Sequence, residues 1–191
     1  SCANVFTSNK AIANPIIWSR EVAKTGKARV IAVNSGGANC FTGPQGFQLT
    51  HKTAERSAEL LGLAPIEVLV ASTGLIGEQL DESKVLKGIE VAHQSLDSSG
   101  GYQAAEAIMT TDSVQKHAIR DGNGYSIGGI AKGAGMLAPA LATMLVFITT
   151  DARVAPTNLQ QILEKAEKKS FNRLDSDGCT STKDHVDLIA N

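Results

Sequence analysis

The sequence predicts an α/β (α+β) fold organised around one core, and three observations carry that expectation. Short β-rich runs alternate with stretches of helical period. Clusters of Gly, Ser, Asn and Asp separate them. A chain of 191 residues is long enough for one sizeable core. With 42% apolar and 19% charged residues, the composition is that of an ordinary globular domain.

Val5-Phe6 reads as a first strand, and Ala28 to Val33 as a second that runs into the turn cluster Asn34-Ser35-Gly36-Gly37. A polar loop is expected to reach Gly46. A helix is expected from about Thr53, with Ala54, Ala58 and Leu61 on one face and Gly62 as its stop. Val68 to Ala71 is an apolar strand that delivers the chain into Ser72-Thr73-Gly74. Asp81 or Ser83 should cap a helix carrying Val85, Ile89 and Ala92 on one face. After the break at Ser98 to Gly101 comes a short helix with Ala104, Ala105 and Ile108. A hairpin-like turn over 121–124 feeds a glycine-dense strand from Tyr125 to Lys132, and Met144 to Thr149 is a buried strand. The last helix is expected to start at Thr157, boxed by Gln160, with Leu159, Ile162, Leu163 and Ala166 as its apolar stripe.

A formal net charge of −1 advertises no polyelectrolyte partner, so nucleic acid and anionic membrane surfaces are not expected as ligands. The longest apolar stretches, such as Met144 to Ile148, are too short to span a bilayer. Cys2, Cys40 and Cys179 form no C-x-x-C pair, which fits a reducing compartment and makes the cytoplasm the expected location. His51, His93, His117 and His185 show no H-E-x-x-H spacing, so neither a metal site nor a bound cofactor is expected. Ser1-Cys2 at one end and the apolar Leu188 to Asn191 at the other read as a segment of a longer protein.

The densest feature is Gly128 to Pro139, followed by Ala140-Leu141-Ala142-Thr143-Met144-Leu145. Its glycines permit close backbone approach, and Pro139 fixes a bend just before Ala142-Thr143. Composition alone favours a tight hairpin relieving crowding in a sheet. Gly133-x-Gly135-x-x-Ala138 matches a relaxed dinucleotide fingerprint, but Pro139 and the β-rich run after it argue against the required helix, and no G-K-[ST] follows. A threonine such as Thr143 becomes a nucleophile when a base stands beside it, and its own α-amino group serves once the Ala142–Thr143 bond is cut. Thr73-Gly74 at the end of a strand would set a hydroxyl beside a glycine N–H, as an oxyanion hole requires, or simply turn the chain. Thr110 and Thr111 would bind a polar substrate or cap a helix end. Lys132, in an apolar glycine-lined stretch, needs a carboxylate partner, internal or on a substrate.

Taken in order, Val5-Phe6-Thr7-Ser8-Asn9, Asn34 to Asn39 with Thr42-Gly43, Ser72 to Gly77, Ala107 to Asp112, Ala131 to Met136, Ala142 to Leu145 and Thr149 to Ala152 resemble the ornithine acetyltransferase (glutamate N-acetyltransferase) family. The resemblance covers nearly all of the chain. It implies a self-processing α/β/β/α sandwich, with residues 1–142 belonging to an α-chain and 143–191 opening a β-chain. It implies that Thr143 is both the cleavage-site residue, after Ala142, and the acetyl-accepting nucleophile. Thr73 and Gly74 match the oxyanion pair; Lys132 and Thr110, with Thr111 as second choice, match substrate contacts. The implied reaction moves acetyl from N2-acetylornithine to Thr143 and then to glutamate, a step of arginine biosynthesis, and some members also use acetyl-CoA. The implied assembly is an α/β heterotetramer. The alternatives are a self-processing amide hydrolase or aminopeptidase with the same nucleophile, and a non-catalytic fragment. Gly37 stands where the family more often has Asn, and Ser181-Thr182-Lys183-Asp184-His185 replaces the usual Ser-Thr-Asn-Asp-Thr; neither Lys183 nor His185 is assigned a catalytic role. The family extends past both ends of this stretch, and its C-terminal part carries a glutamate and terminal residues that help bind substrate.

Overall fold

Alternation along the strands sorts their side chains between two faces, and this sets the layers. The computed structural model describes residues 1–136 and 144–191. The strands are β1 (Cys2–Phe6), β2 (Val30–Gly37), β3 (Val68–Leu75), β4 (Lys116–Asp121), β5 (Ser126–Lys132), β6 (Leu145–Thr150) and β7 (His185–Ala190). The helices are α1 (Asn14–Ala23), α2 (Gly43–Leu61), α3 (Glu82–Gln94), α4 (Gly101–Ala107) and α5 (Pro156–Glu167). Among the described residues, one sheet runs β1-β7-β6-β5-β4 and a second is the pair β2-β3. β2 and β3 are parallel, as are β6 and β7; the other pairs are antiparallel.

On β3, Val68 and Val70 pack with Ala54 and Ala58 of α2 and with Trp18 of α1. Ala71 turns the other way and meets Leu145 and Phe147 of β6 together with Ile108. The two sheets therefore share one core. On the far side of the larger sheet, Val146, Val186 and Leu188 pack against Leu159 and Leu163 of α5. Helices, small sheet, large sheet and helix follow one another, which is the expected layering of an α/β/β/α sandwich. Ser19 of α1 pins its helix to β3: its hydroxyl donates to the Val70 carbonyl at 2.8 Å and accepts from the Val70 N–H at 2.9 Å.

Several local expectations change. α2 starts at Gly43, ten residues before Thr53, because Pro44 stands in its first turn, where a fixed φ favours a helix. α1, opened by Pro15, was not anticipated, nor were β4 and β7 as strands. α5 begins at Pro156 with Ala155 as N-cap, so the box of Thr157 and Gln160 does not form. Gln160 instead clamps β1, accepting from the Asn4 N–H and donating to the Asn4 carbonyl, each at 3.0 Å. Ile162 and Ala166 point outward, and Glu167 takes the buried position instead. Asp81 is the cap of α3, accepting from the N–H groups of Ser83 and Lys84. The α3 face of Val85, Ile89 and Ala92 is not buried; it lines a cavity of about 730 Å³ shared with β2, α2 and α4.

Candidate functional site

Two parallel strands end side by side at the site. Ser35, Gly36 and Gly37 of β2 pair with Thr73, Gly74 and Leu75 of β3. Gly74 has φ +128°, and a Cβ there would lie 2.2 Å from the Gly36 carbonyl carbon and 2.7 Å from the Gly37 nitrogen. Glycine is obligatory at this point by both backbone conformation and space. At Gly37 a Cβ would meet Leu80 Cδ2 at 2.4 Å, so Leu80 fills the room a larger side chain would need. The Ser35 hydroxyl donates to the Ala107 carbonyl at 2.7 Å, tying β2 to the end of α4 and so placing the segment that carries Thr110.

Thr73 and Lys132 are both buried, and Thr110 is exposed beside them. The Lys132 ammonium donates to Thr73 Oγ1 at 3.1 Å and to Thr110 Oγ1 at 2.6 Å. Because Thr73 accepts from an ammonium, its own hydroxyl proton is left to donate elsewhere, and that donation is strengthened by the charge behind it. Thr111 is exposed, and among the described residues no hydrogen bond joins its side chain to the cluster. Burial pushes the Lys132 ammonium below the ordinary lysine range, with Asp112 acting in the opposite sense. The Asp112 carboxylate accepts from the Gly133 N–H at 2.7 Å and from Lys116. Burial works to raise its pKa, but those donors hold it below the usual carboxylate value.

Ala142 and Thr143 lie outside the described residues. The ends of the connection that contains them are fixed: Lys132 and Leu145 are direct cross-strand partners on β5 and β6. Met144, the next residue after Thr143, gives its N–H to Asp184 Oδ1 at 3.0 Å, and its carbonyl accepts from the His185 N–H at 3.2 Å. Asp184 is fully buried, and its Oδ2 has no partner among the described residues. Burial raises its carboxyl to about 6, against the Ser181 hydroxyl and the Met144 N–H.

Sequence reasoning passed over Asp184 and set Lys183 aside, yet both belong here. The Lys183 ammonium donates to the Gly74 carbonyl at 2.9 Å, and burial lowers its proton affinity. The segment is held from outside the site: Thr7 donates its hydroxyl to the Ser181 carbonyl and its N–H to that of Asp184, and the Ala13 N–H reaches the Thr182 carbonyl. The available signal was the charged pair Lys183-Asp184 just ahead of a segment, His185 to Ala190, in which Val186, Leu188 and Ala190 alternate with other residues. His185 lies outside the cluster, edge-on to Phe6 with Asp187 at 3.3 Å. The motif residues Asn39 and Thr42 serve the fold: Asn39 donates to the Gly46 carbonyl and to Thr50, and accepts from Thr42.

The apolar cavity beside α3 includes Asn34 and Ser35 but not Thr73, Thr110 or Lys132, so its volume says nothing about the polar cluster. Among the described residues no group of His, Cys, Asp and Glu is arranged to hold a metal ion. No described helix is long and apolar enough to cross a membrane.

The sequence matches the family model described as "ArgJ family" over residues 1–191. It is 53% identical over 190 residues to "Arginine biosynthesis bifunctional protein ArgJ 1" of Streptomyces clavuligerus, covering 100% of this chain and 50% of that protein. It is 50% identical over 198 residues to the ArgJ protein of Mycobacterium leprae, covering 100% and 49%. The chain thus spans about half the length of the curated relatives it matches. Its structure is similar to that of ornithine acetyltransferase complexed with ornithine from Mycobacterium tuberculosis, with a TM-score of 0.70 and 45% identity, covering 74% of this chain and 76% of that one. It is also similar to the ArgJ structure from Bacillus halodurans, with a TM-score of 0.62 and 34% identity, covering 75% of each chain.

Proposed function

This chain belongs to the ArgJ family, and from that premise we propose that it carries the acyl-transfer half-site of an acetyltransferase of arginine biosynthesis. The observation that carries the reading is the junction of Lys132, Thr73 and Thr110 beside Gly74. In this reading Thr143 Oγ first attacks the Ala142 carbonyl, moving the acyl chain from nitrogen to oxygen, and water then releases the ester. The products are a segment ending in the Ala142 carboxylate and one opening with the free α-amine of Thr143. That amine takes the hydroxyl proton as Thr143 attacks the acetyl group of N2-acetylornithine. The tetrahedral oxyanion is received by the Thr73 hydroxyl and the Gly74 N–H, which are already fixed before charge develops. Ornithine departs with a proton. The glutamate amine then attacks the acetyl ester, giving N-acetylglutamate and the free threonine.

Among the relatives, the solved ornithine acetyltransferase chain from Mycobacterium tuberculosis is about half the length of the curated proteins, as a family chain divided near its middle would be. In the same reading acetyl-CoA is an alternative donor, the cut pieces assemble as an α/β heterotetramer, and the enzyme works in the cytoplasm. Intact-mass measurement tests the mechanism: the protein should separate into two pieces between Ala142 and Thr143, and Thr143→Ala should stay whole. A wild type that remains uncut sinks it. Incubation with N2-acetylornithine, with and without glutamate, separates transfer from the rival amide hydrolase, in which water alone resolves the acetyl-enzyme.

A further inference from the structure

Two ammonium groups flank one dipeptide. Lys132 binds the side chain of Thr73 at 3.1 Å, and Lys183 binds the carbonyl of Gly74 at 2.9 Å. Successive Cα atoms are only about 3.8 Å apart, so both charges belong to one small volume, and the charge of Lys183 is felt at Lys132. Both are almost wholly enclosed, 3% and 5% exposed. Among the described residues their bonds go to neutral oxygens only: two threonine hydroxyls and one carbonyl. The two nearby carboxylates act on the lysines through space but bond neither. Asp112 gives one oxygen to Gly133 and Lys116, Asp184 gives one to Met144, and the second oxygen of each has no partner among the described residues. Residues 137–143 contain no acidic side chain. A buried ammonium with no carboxylate in hydrogen-bond contact is under-compensated, and a ligand carboxylate would supply that contact.

We propose that Lys183 is a substrate-binding residue of this site, which with Lys132 receives the α-carboxylate of the acylated amino acid. The proposal rests on the acyl-transfer reading above. In an N-acyl amino acid only the amide nitrogen and Cα separate the reacting carbonyl carbon from the carboxylate carbon. A carbonyl oxygen seated against Thr73 and Gly74 therefore brings its carboxylate beside that same dipeptide, where the ammoniums stand. One carboxylate offers two oxygens, one for each lysine.

Calorimetric binding of N2-methanesulfonylornithine, a sulfonamide that Thr143 cannot open, and of its carboxamide to the full chain tests this without turnover. The wild type should prefer the acid by about ten-fold or more, the usual scale for a charged hydrogen bond. Lys183→Gln keeps a donor for the Gly74 carbonyl but discards the charge. It should lose most of that preference while holding the carboxamide within about two-fold of wild type. Lys183→Arg should retain the preference. Equal weakening of both ligands in Lys183→Gln would mean a structural role only and would overturn the proposal, as would a wild type indifferent to the carboxylate. Failure of acetyl transfer itself, measured separately, would instead count against the reading on which the proposal rests.

Discussion

Asp184 is fully enclosed, with one oxygen on the Met144 N–H and the other without a partner among the described residues. Replacing it by asparagine preserves shape and the acceptor for Met144 while removing the charge. Burial raises the wild-type carboxyl from 3.8 to about 6. A raised folded-state value means that the native protein holds a proton which the unfolded chain has released. The stabilising contribution is complete below about pH 3.8 and is lost as the pH climbs through about 6. Two pH units correspond to about 3 kcal/mol. The asparagine has no such titration, although its amide must find an acceptor and so carries a constant offset. The stability of Asp184→Asn relative to wild type should therefore grow by about 2 kcal/mol between roughly pH 4 and pH 7, whatever its absolute level. Urea unfolding at four pH values, with m-values compared, measures the difference. A difference that stays constant within about 0.5 kcal/mol would refute the account of a buried, under-bonded carboxylate beside Met144.

Gly74→Ala should destabilise the protein by more than about 2 kcal/mol or prevent folding, because the new Cβ meets the Gly36 backbone at 2.2 Å; wild-type unfolding behaviour would contradict the packing at the two strand ends. If the freed α-amine of Thr143 is the base, the acetyl-transfer rate should fall as the solution is acidified below its pKa of about 8. A rate that is flat from roughly pH 6 to 9 would exclude the amine from that role. Cys2 is buried, and burial together with Asp187 pushes its thiol up to about 11. Iodoacetamide at about pH 8 should therefore modify the exposed Cys179 well before Cys2, and a first adduct on Cys2 would contradict that burial.

The strands were the most legible part of the fold, since β3 and β6 are apolar runs bounded by turn residues. The helices misled where prolines stood. Pro15 and Pro44 lie in the first turns of α1 and α2, yet Gly-Pro and Asn-Pro pairs look like loops when read locally. The α3 stripe was legible as a helix face, but not its fate: amphipathic period tells which side is apolar and leaves open what covers it. Thr73, Thr110 and Lys132 came to attention through short motifs, and the hydrogen bonds that join them span 22 and 59 residues.

Lys183 and Asp184 were out of reach for a different reason. They arrive through the parallel register of β6 and β7, in which Leu145 lies against His185. Nothing local in either strand encodes that pairing, because β6 is a mostly apolar run and β7 alternates, so registers two residues apart would bury the same faces. Once the register is set, alternation does the rest. Leu145 turns toward the small sheet and Val146 toward α5, while the residue ahead of β7 meets the amide ahead of β6. A slip of one residue would carry every side chain of β7 to the opposite face. It would also change which residue meets the Met144 N–H and break the reach of Lys183 to Gly74. The part of the site on β7's approach is thus specified by the core, since the packing of Val186 and Leu188 against α5 selects the register that delivers Lys183 and Asp184.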